Sequence, residues 1–152
     1  MAKINNNFKS FNQQFHFLSS RKFVALPHRG AHFFSKDNSD QYLENTHSAF
    51  SKAVELGFTH IETDVHSSKD SVPYVMHDPT LKRLTGENIA LKELTSKDIG
   101  KIRLKGSHVI PRLEETLEEF SSICFNIDAK SWEVTGPLAQ VINLSLIHIS
   151  EP

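Results

Sequence analysis

Two carboxylates stand two residues apart in His60-Ile61-Glu62-Thr63-Asp64-Val65, a run whose other members suit a β-strand. Alternate residues of a strand share a face, so Glu62 and Asp64 point one way and Ile61, Thr63 and Val65 the other. Like charges facing one interior are costly unless a cation lies between them. All-oxygen donors of this kind suit a hard ion, Ca²⁺ or Mg²⁺, and not a metal that prefers thiolate. Asp128 ends a later apolar run with the parity of Asn126 and Lys130, and can add a third carboxylate. A single carboxylate would more simply pair with an Arg or Lys. Three arriving at one edge favour a metal.

Two histidines lie where other apolar runs end. His28 follows Phe23-Val24-Ala25-Leu26, and His77 follows Val72-Pro73-Tyr74-Val75-Met76. Histidine changes charge near neutral pH, so one ring can take a proton and another return one in a single reaction cycle. Arg29, beside His28, offers a planar fork of donors suited to a phosphate. The other histidines, His16, His32, His47, His60, His66, His108 and His148, read as structural, although His66 shares the parity of Glu62 and Asp64.

These groups must be positioned by alternating strands and helices. The spacing predicts strands at Phe23–Leu26, His60–Val65, Val72–Met76 and Ile123–Ile127. A helix should start at Asn45 or Thr46, either of which can cap it, carry Ala49, Phe50, Ala53 and Val54 inward, and stop at Gly57. Residues 79–112 are irregular, with short helical pieces such as Leu94–Ile99. An acidic helix covers Leu113–Phe120, and another begins at Pro137. Apolar strands alternating with helices predict a parallel α/β sheet, whose carboxyl edge collects functional side chains.

Bulk properties agree with one domain. The chain has 152 residues, 17 basic against 18 acidic, a balance that gives no electrostatic case for nucleic acid or an anionic membrane. No apolar run reaches the roughly 20 residues that span a bilayer. The Phe residues of positions 1–22 are interleaved with polar ones, so this reads as a leader segment and not a signal peptide. With Cys124 alone, no internal disulfide can form, which points to a cytoplasmic setting. Nothing in the sequence indicates an oligomeric state.

Taken together, His28-Arg29-Gly30, Glu44-Asn45-Thr46, Glu62-Thr63-Asp64, His77-Asp78 and Ile110-Pro111-Arg112-Leu113-Glu114 resemble, in order and separation, the signature of glycerophosphodiester phosphodiesterases. The resemblance spans Phe23 to Lys130. It implies a TIM (β/α)8 barrel, a divalent metal held by Glu62, Asp64 and Asp128 with Glu44 contributing, and His28 and His77 as base and acid. It also implies Arg29 and Lys130 as substrate contacts and a small-molecule glycerophosphodiester as substrate. Many relatives have Glu in the position of Asp128, so the metal here would sit differently or be reached through water. Residues 79–112 resemble the small insertion that caps the family's site.

A closed barrel needs roughly 250 residues. The expectation is therefore about four βα units in residues 23–144, the first half of a barrel, followed by a non-native or truncated tail at 145–152. Two rival readings share these residues: a lysophospholipase D or phospholipase D-like enzyme on the same barrel, and a non-catalytic binding module derived from it.

Overall fold

The computed structural model describes residues 24–34 and 40–149, so the leader expected at positions 1–22 lies outside the described residues. In chain order the regular elements are α1 (His47–Glu55), β1 (His60–Ser67), β2 (Pro73–Val75), α2 (Lys82–Thr85), α3 (Ser96–Ile99), α4 (Leu113–Glu119), β3 (Cys124–Ala129) and α5 (Trp132–Ile149). Single 3-10 turns at His32–Phe34, Asp40–Tyr42, Leu91–Glu93 and Lys105–Ser107 fill the connections.

The sheet has the order β2-β1-β3. β3 runs parallel to β1 in a register that places Glu62 beside Asn126 and Asp64 beside Asp128. β2 is different. It runs antiparallel to β1, with Val65 opposite Val75 and Ser67 opposite Pro73. The third expected strand is thus the return arm of a hairpin and not a barrel strand. The turn at Lys69-Asp70-Ser71 is too short for the crossover that a parallel pair requires.

The first expected strand is reduced to a parallel bridge between His28 and Glu62, made by Glu62 N–H to the Pro27 carbonyl (3.1 Å) and Arg29 N–H to the Glu62 carbonyl (3.0 Å). Of its four residues, Phe23 lies outside the described residues and 24–26 carry no strand pairing. Three parallel segments therefore lie side by side among the described residues, where the sequence pattern suggests four.

Two apolar clusters form the core. Phe50, Ala53, Ile61, Val65, Leu113 and Val134 pack the helices onto β1 and β3, with Phe50 set edge-on against Phe120 and Phe125. Tyr74 and Met76, at and just after β2, pack with Leu81, Leu91, Ile99 and Leu104 of the insertion in a second core, which explains how an irregular stretch stays folded. α5 starts at Trp132, five residues before the expected Pro137, because Val134 belongs to the core; the proline is accommodated inside the helix. Its backbone runs on through Ser145–Ile149, so no strand begins there. No helix among the described residues is long and apolar enough to cross a membrane.

Candidate active site

The site begins with two backbone bends. Arg29 (φ 57°) and Asn45 (φ 56°) both adopt the left-handed conformation, which non-glycine residues rarely take. They are joined by Asn45 N–H donating to the Arg29 carbonyl at 3.0 Å. Strain of this kind gathers where side chains must be aimed. Gly30, at φ 82°, packs so closely on α1 that an added Cβ would lie 2.9 Å from Phe50 Cδ1. Asn45 is not a helix cap. Thr46 takes the N-cap position, and the Asn45 amide instead donates to Asp64 Oδ2 (2.9 Å) while accepting from Thr63 (2.9 Å).

Asp64 is the centre of the arrangement, with only 1% of its side chain exposed. Arg29 Nε lies 3.1 Å from its Oδ2, and Lys130 Nζ lies 2.8 Å from its Oδ1. Oδ1 is buried and has no partner beyond this ammonium among the described residues. Burial pushes the Asp64 carboxyl up, but Lys130, Asn45 and Arg29 outweigh it and hold it below its ordinary value. Lys130 also reaches Asp128 Oδ2 at 2.6 Å, and the two carboxylates, Asp128 foremost, raise its affinity for its proton.

Glu62 accepts the Arg29 backbone N–H at 2.9 Å and stands 4.0 Å from His28 Nε2. A second branch starts at Glu44. Its Oε1 receives Arg29 Nη1 (3.1 Å) and Arg83 Nη2 (2.6 Å). Burial opposes ionisation there, yet the two guanidiniums, Arg83 first, keep Glu44 below its usual range. Arg83 continues to Asp78, with Nε 2.7 Å from Oδ2, and Asp78 Oδ1 lies 2.8 Å from His77 Nδ1. The backbone carbonyl of His77 meets His66 Nε2 at 3.0 Å, which gives the buried His66 a structural part. Burial lowers the His66 affinity for a second proton, outweighing the contact with the carbonyl, which raises it.

All eight residues singled out in the sequence therefore fall in one neighbourhood. His77 and Asp128 are tied to Asp64 through the chain of contacts just described, and His28 joins at the Glu62 side. Both histidines are open to solvent, with 61% of the His28 and 34% of the His77 side chain exposed, as are Asp128 and Arg83. Asn45, Asp78 and Arg83 complete the network without having been assigned a role from sequence. The first two sit inside the quoted motifs; Arg83 carries no spacing signal, because it contacts Glu44 across 39 positions.

As the side chains stand, no three His, Cys, Asp or Glu groups among the described residues form a ready metal cage. The Lys130 ammonium bridges Asp64 and Asp128 instead. The donor set still fits an oxygen-seeking divalent ion. Asp64 Oδ1 is buried with only a cation, the Lys130 ammonium, against it, Asp128 is in register beside it, and Glu62 is two residues away on the same strand.

Solved structures identify the class of fold. A glycerophosphodiester phosphodiesterase from Agrobacterium tumefaciens superposes with a TM-score of 0.69 at 29% identity, covering 82% of this chain and 55% of that one. One from Thermotoga maritima gives 0.66 at 30% identity, covering 80% and 50%. The profile of the glycerophosphoryl diester phosphodiesterase family, whose fold is a TIM barrel, matches residues 28–142, and the chain belongs to that family. Among curated relatives, a probable glycerophosphodiester phosphodiesterase 2 of Mycobacterium tuberculosis is 33% identical over 125 residues, 82% of this chain and 45% of that protein. Human lysophospholipase D GDPD1 is 33% identical over 112 residues, 65% of this chain and 36% of that protein. The chain thus spans about half, or less, of the proteins it matches.

Proposed function

We propose that the complete protein hydrolyses glycerophosphodiesters, such as glycerophosphocholine, to glycerol 3-phosphate and an alcohol. The observation that carries this reading is the pair of solvent-facing histidines, His28 and His77, flanking a buried carboxylate network in a chain of this family. A structural relative from Oleispira antarctica, at 23% identity and a TM-score of 0.68, is itself in complex with sn-glycerol-3-phosphate as product.

In this mechanism His28 takes the proton of the attacking oxygen, from water or a neighbouring glycerol hydroxyl. A new P–O bond forms as the bond to the leaving alcohol breaks, and His77 delivers a proton to that alcohol. Arg29 and Lys130 offset the charge of the phosphate oxygens. Glu62, Asp64 and Asp128, joined by Glu44, would hold Ca²⁺ or Mg²⁺, which when bound supplies further positive charge at the phosphate. With such an ion bound, Lys130 would be freed from Asp64 and Asp128 to face substrate.

The name of the human relative favours a second reading, in which a lysophospholipid is the substrate. Assaying the complete protein on glycerophosphocholine and on lysophosphatidylcholine, with and without chelator, separates the readings. Chelator-sensitive release of glycerol 3-phosphate supports the first; turnover of the lysolipid alone supports the second. Turnover of neither, with no Ca²⁺ or Mg²⁺ binding by titration, would leave a non-catalytic module.

A further inference from the structure

Arg83 lies in the insertion, outside every motif quoted above, yet it is the piece that links Glu44 to Asp78 and so to His77. Its Nε and Nη2 both engage Asp78 (2.7 and 3.2 Å), and Nη2 also reaches Glu44 at 2.6 Å. Nearly half of the Arg83 side chain is exposed, so burial does not fix it; these carboxylates do. Asp78 in turn lies 2.8 Å from His77 Nδ1.

An ionised carboxylate can only accept, so a histidine Nδ1 bonded to one must carry the proton. The other ring nitrogen, Nε2, is then left to exchange a proton with substrate. A carboxylate free to rotate would not fix the ring in that state. Asp78 cannot rotate freely, because both of its oxygens are gripped by Arg83.

We infer that Arg83 is a positioning residue: it fixes Asp78, and through Asp78 holds one proton on His77 Nδ1, so that Nε2, protonated in the acid form, is the nitrogen that delivers its proton to the leaving alcohol. This rests on the proposed phosphodiesterase function. Arg83 touches neither reacting atom nor phosphate in this role, so removing it should slow the chemical step and leave substrate binding alone. Burial pushes the Asp78 carboxyl up, but Arg83 and His77 outweigh it and keep it ionised, in agreement with that role.

The test uses the complete protein with glycerophosphocholine. Arg83→Met should lower kcat by about tenfold or more with KM changed by less than about threefold, a loss within the range of acid–base catalysis. In ¹⁵N spectra of histidine-labelled protein, the His77 signals, assigned by loss in His77→Ala, should move from the Nδ1–H tautomer to a mixture. Arg83→Met placed on Asp78→Asn should add less than about twofold to the Asp78→Asn loss, since the two act in series. Arg83→Lys keeps the charge without the fork and should behave as Arg83→Met, which covers the case in which methionine does not fold.

Unchanged kcat, an unchanged His77 tautomer, or full additivity with Asp78→Asn would each overturn the inference; additivity would place the effect at Glu44. The spectroscopic result does not depend on turnover. If His77→Ala is fully active, the phosphodiesterase mechanism fails; if His77→Ala is inactive while Arg83→Met is not, only the positioning role fails.

Discussion

Asp78 shows what one carboxylate does for this site. Its pKa is depressed on folding, against burial, by Arg83 and His77, so its stabilisation is complete above the unfolded value of about 3.9 and is lost as pH falls through the folded value. Asp78→Asn should therefore cost about 1 kcal/mol at pH 7, a modest figure because the exposed Arg83 is screened by solvent. The gap between variant and parent should close below about pH 4 in urea titrations; a gap constant from pH 7 to pH 3 would remove the ionic explanation. Asp64 is a harsher case. It is buried among Arg29, Asn45 and Lys130, and Asp64→Asn leaves two cations facing an amide. A loss of about 3 kcal/mol or more is expected from the urea midpoint and slope, and a loss below about 1 kcal/mol would mean that the surrounding cations find other partners.

At the level of elements, the bend before α1 and the packing of α1 on the sheet decide where Arg29 and Asn45 sit. Gly30→Ala would place a methyl against Phe50 and Ala49 at a positive φ, and should destabilise by about 2 kcal/mol or more. Phe50→Ala empties the meeting point of α1, Phe120 and Phe125, and should cost about 3–5 kcal/mol. Thermal unfolding of both variants checks this, and a Gly30→Ala protein as stable as its parent would show that the bend is not strained.

These elements also mark how far the sequence could be read. Glu62 and Asp64 were legible because strand parity is a local rule, and α1 ended at Gly57's bend as its pattern required. The direction of β2 lay in the short turn at Lys69-Asp70-Ser71 and not in its apolar pattern, since Val72–Met76 is equally apolar whichever way it runs. Asn45 and Thr46 were equally eligible as caps; Thr46 takes the N-cap position, and the bond of Asn45 to Asp64, 19 positions away, leaves no mark on local spacing. Arg83 was missed because ionic partners 39 positions apart leave no mark on spacing.

Across the whole molecule, β1 is covered on both sides, by β2 and the His28 bridge on one and by β3 on the other, while β3 is paired only with β1 among the described residues. A parallel edge strand of this kind is a site for further pairing. The chain spans 45% of its mycobacterial relative and 55% of its Agrobacterium counterpart. We therefore expect the 152-residue polypeptide, expressed alone, to show no diesterase turnover; cooperative unfolding together with metal-dependent turnover would contradict that. The central claim is that His28 and His77 perform the acid–base chemistry of a phosphodiesterase. The most direct measurement is glycerol 3-phosphate release from glycerophosphocholine by the complete protein and its His28→Ala and His77→Ala variants. Each substitution should lower kcat by about 100-fold or more while Ca²⁺ or Mg²⁺ still binds. Turnover within about threefold of the parent in either variant would contradict the central claim.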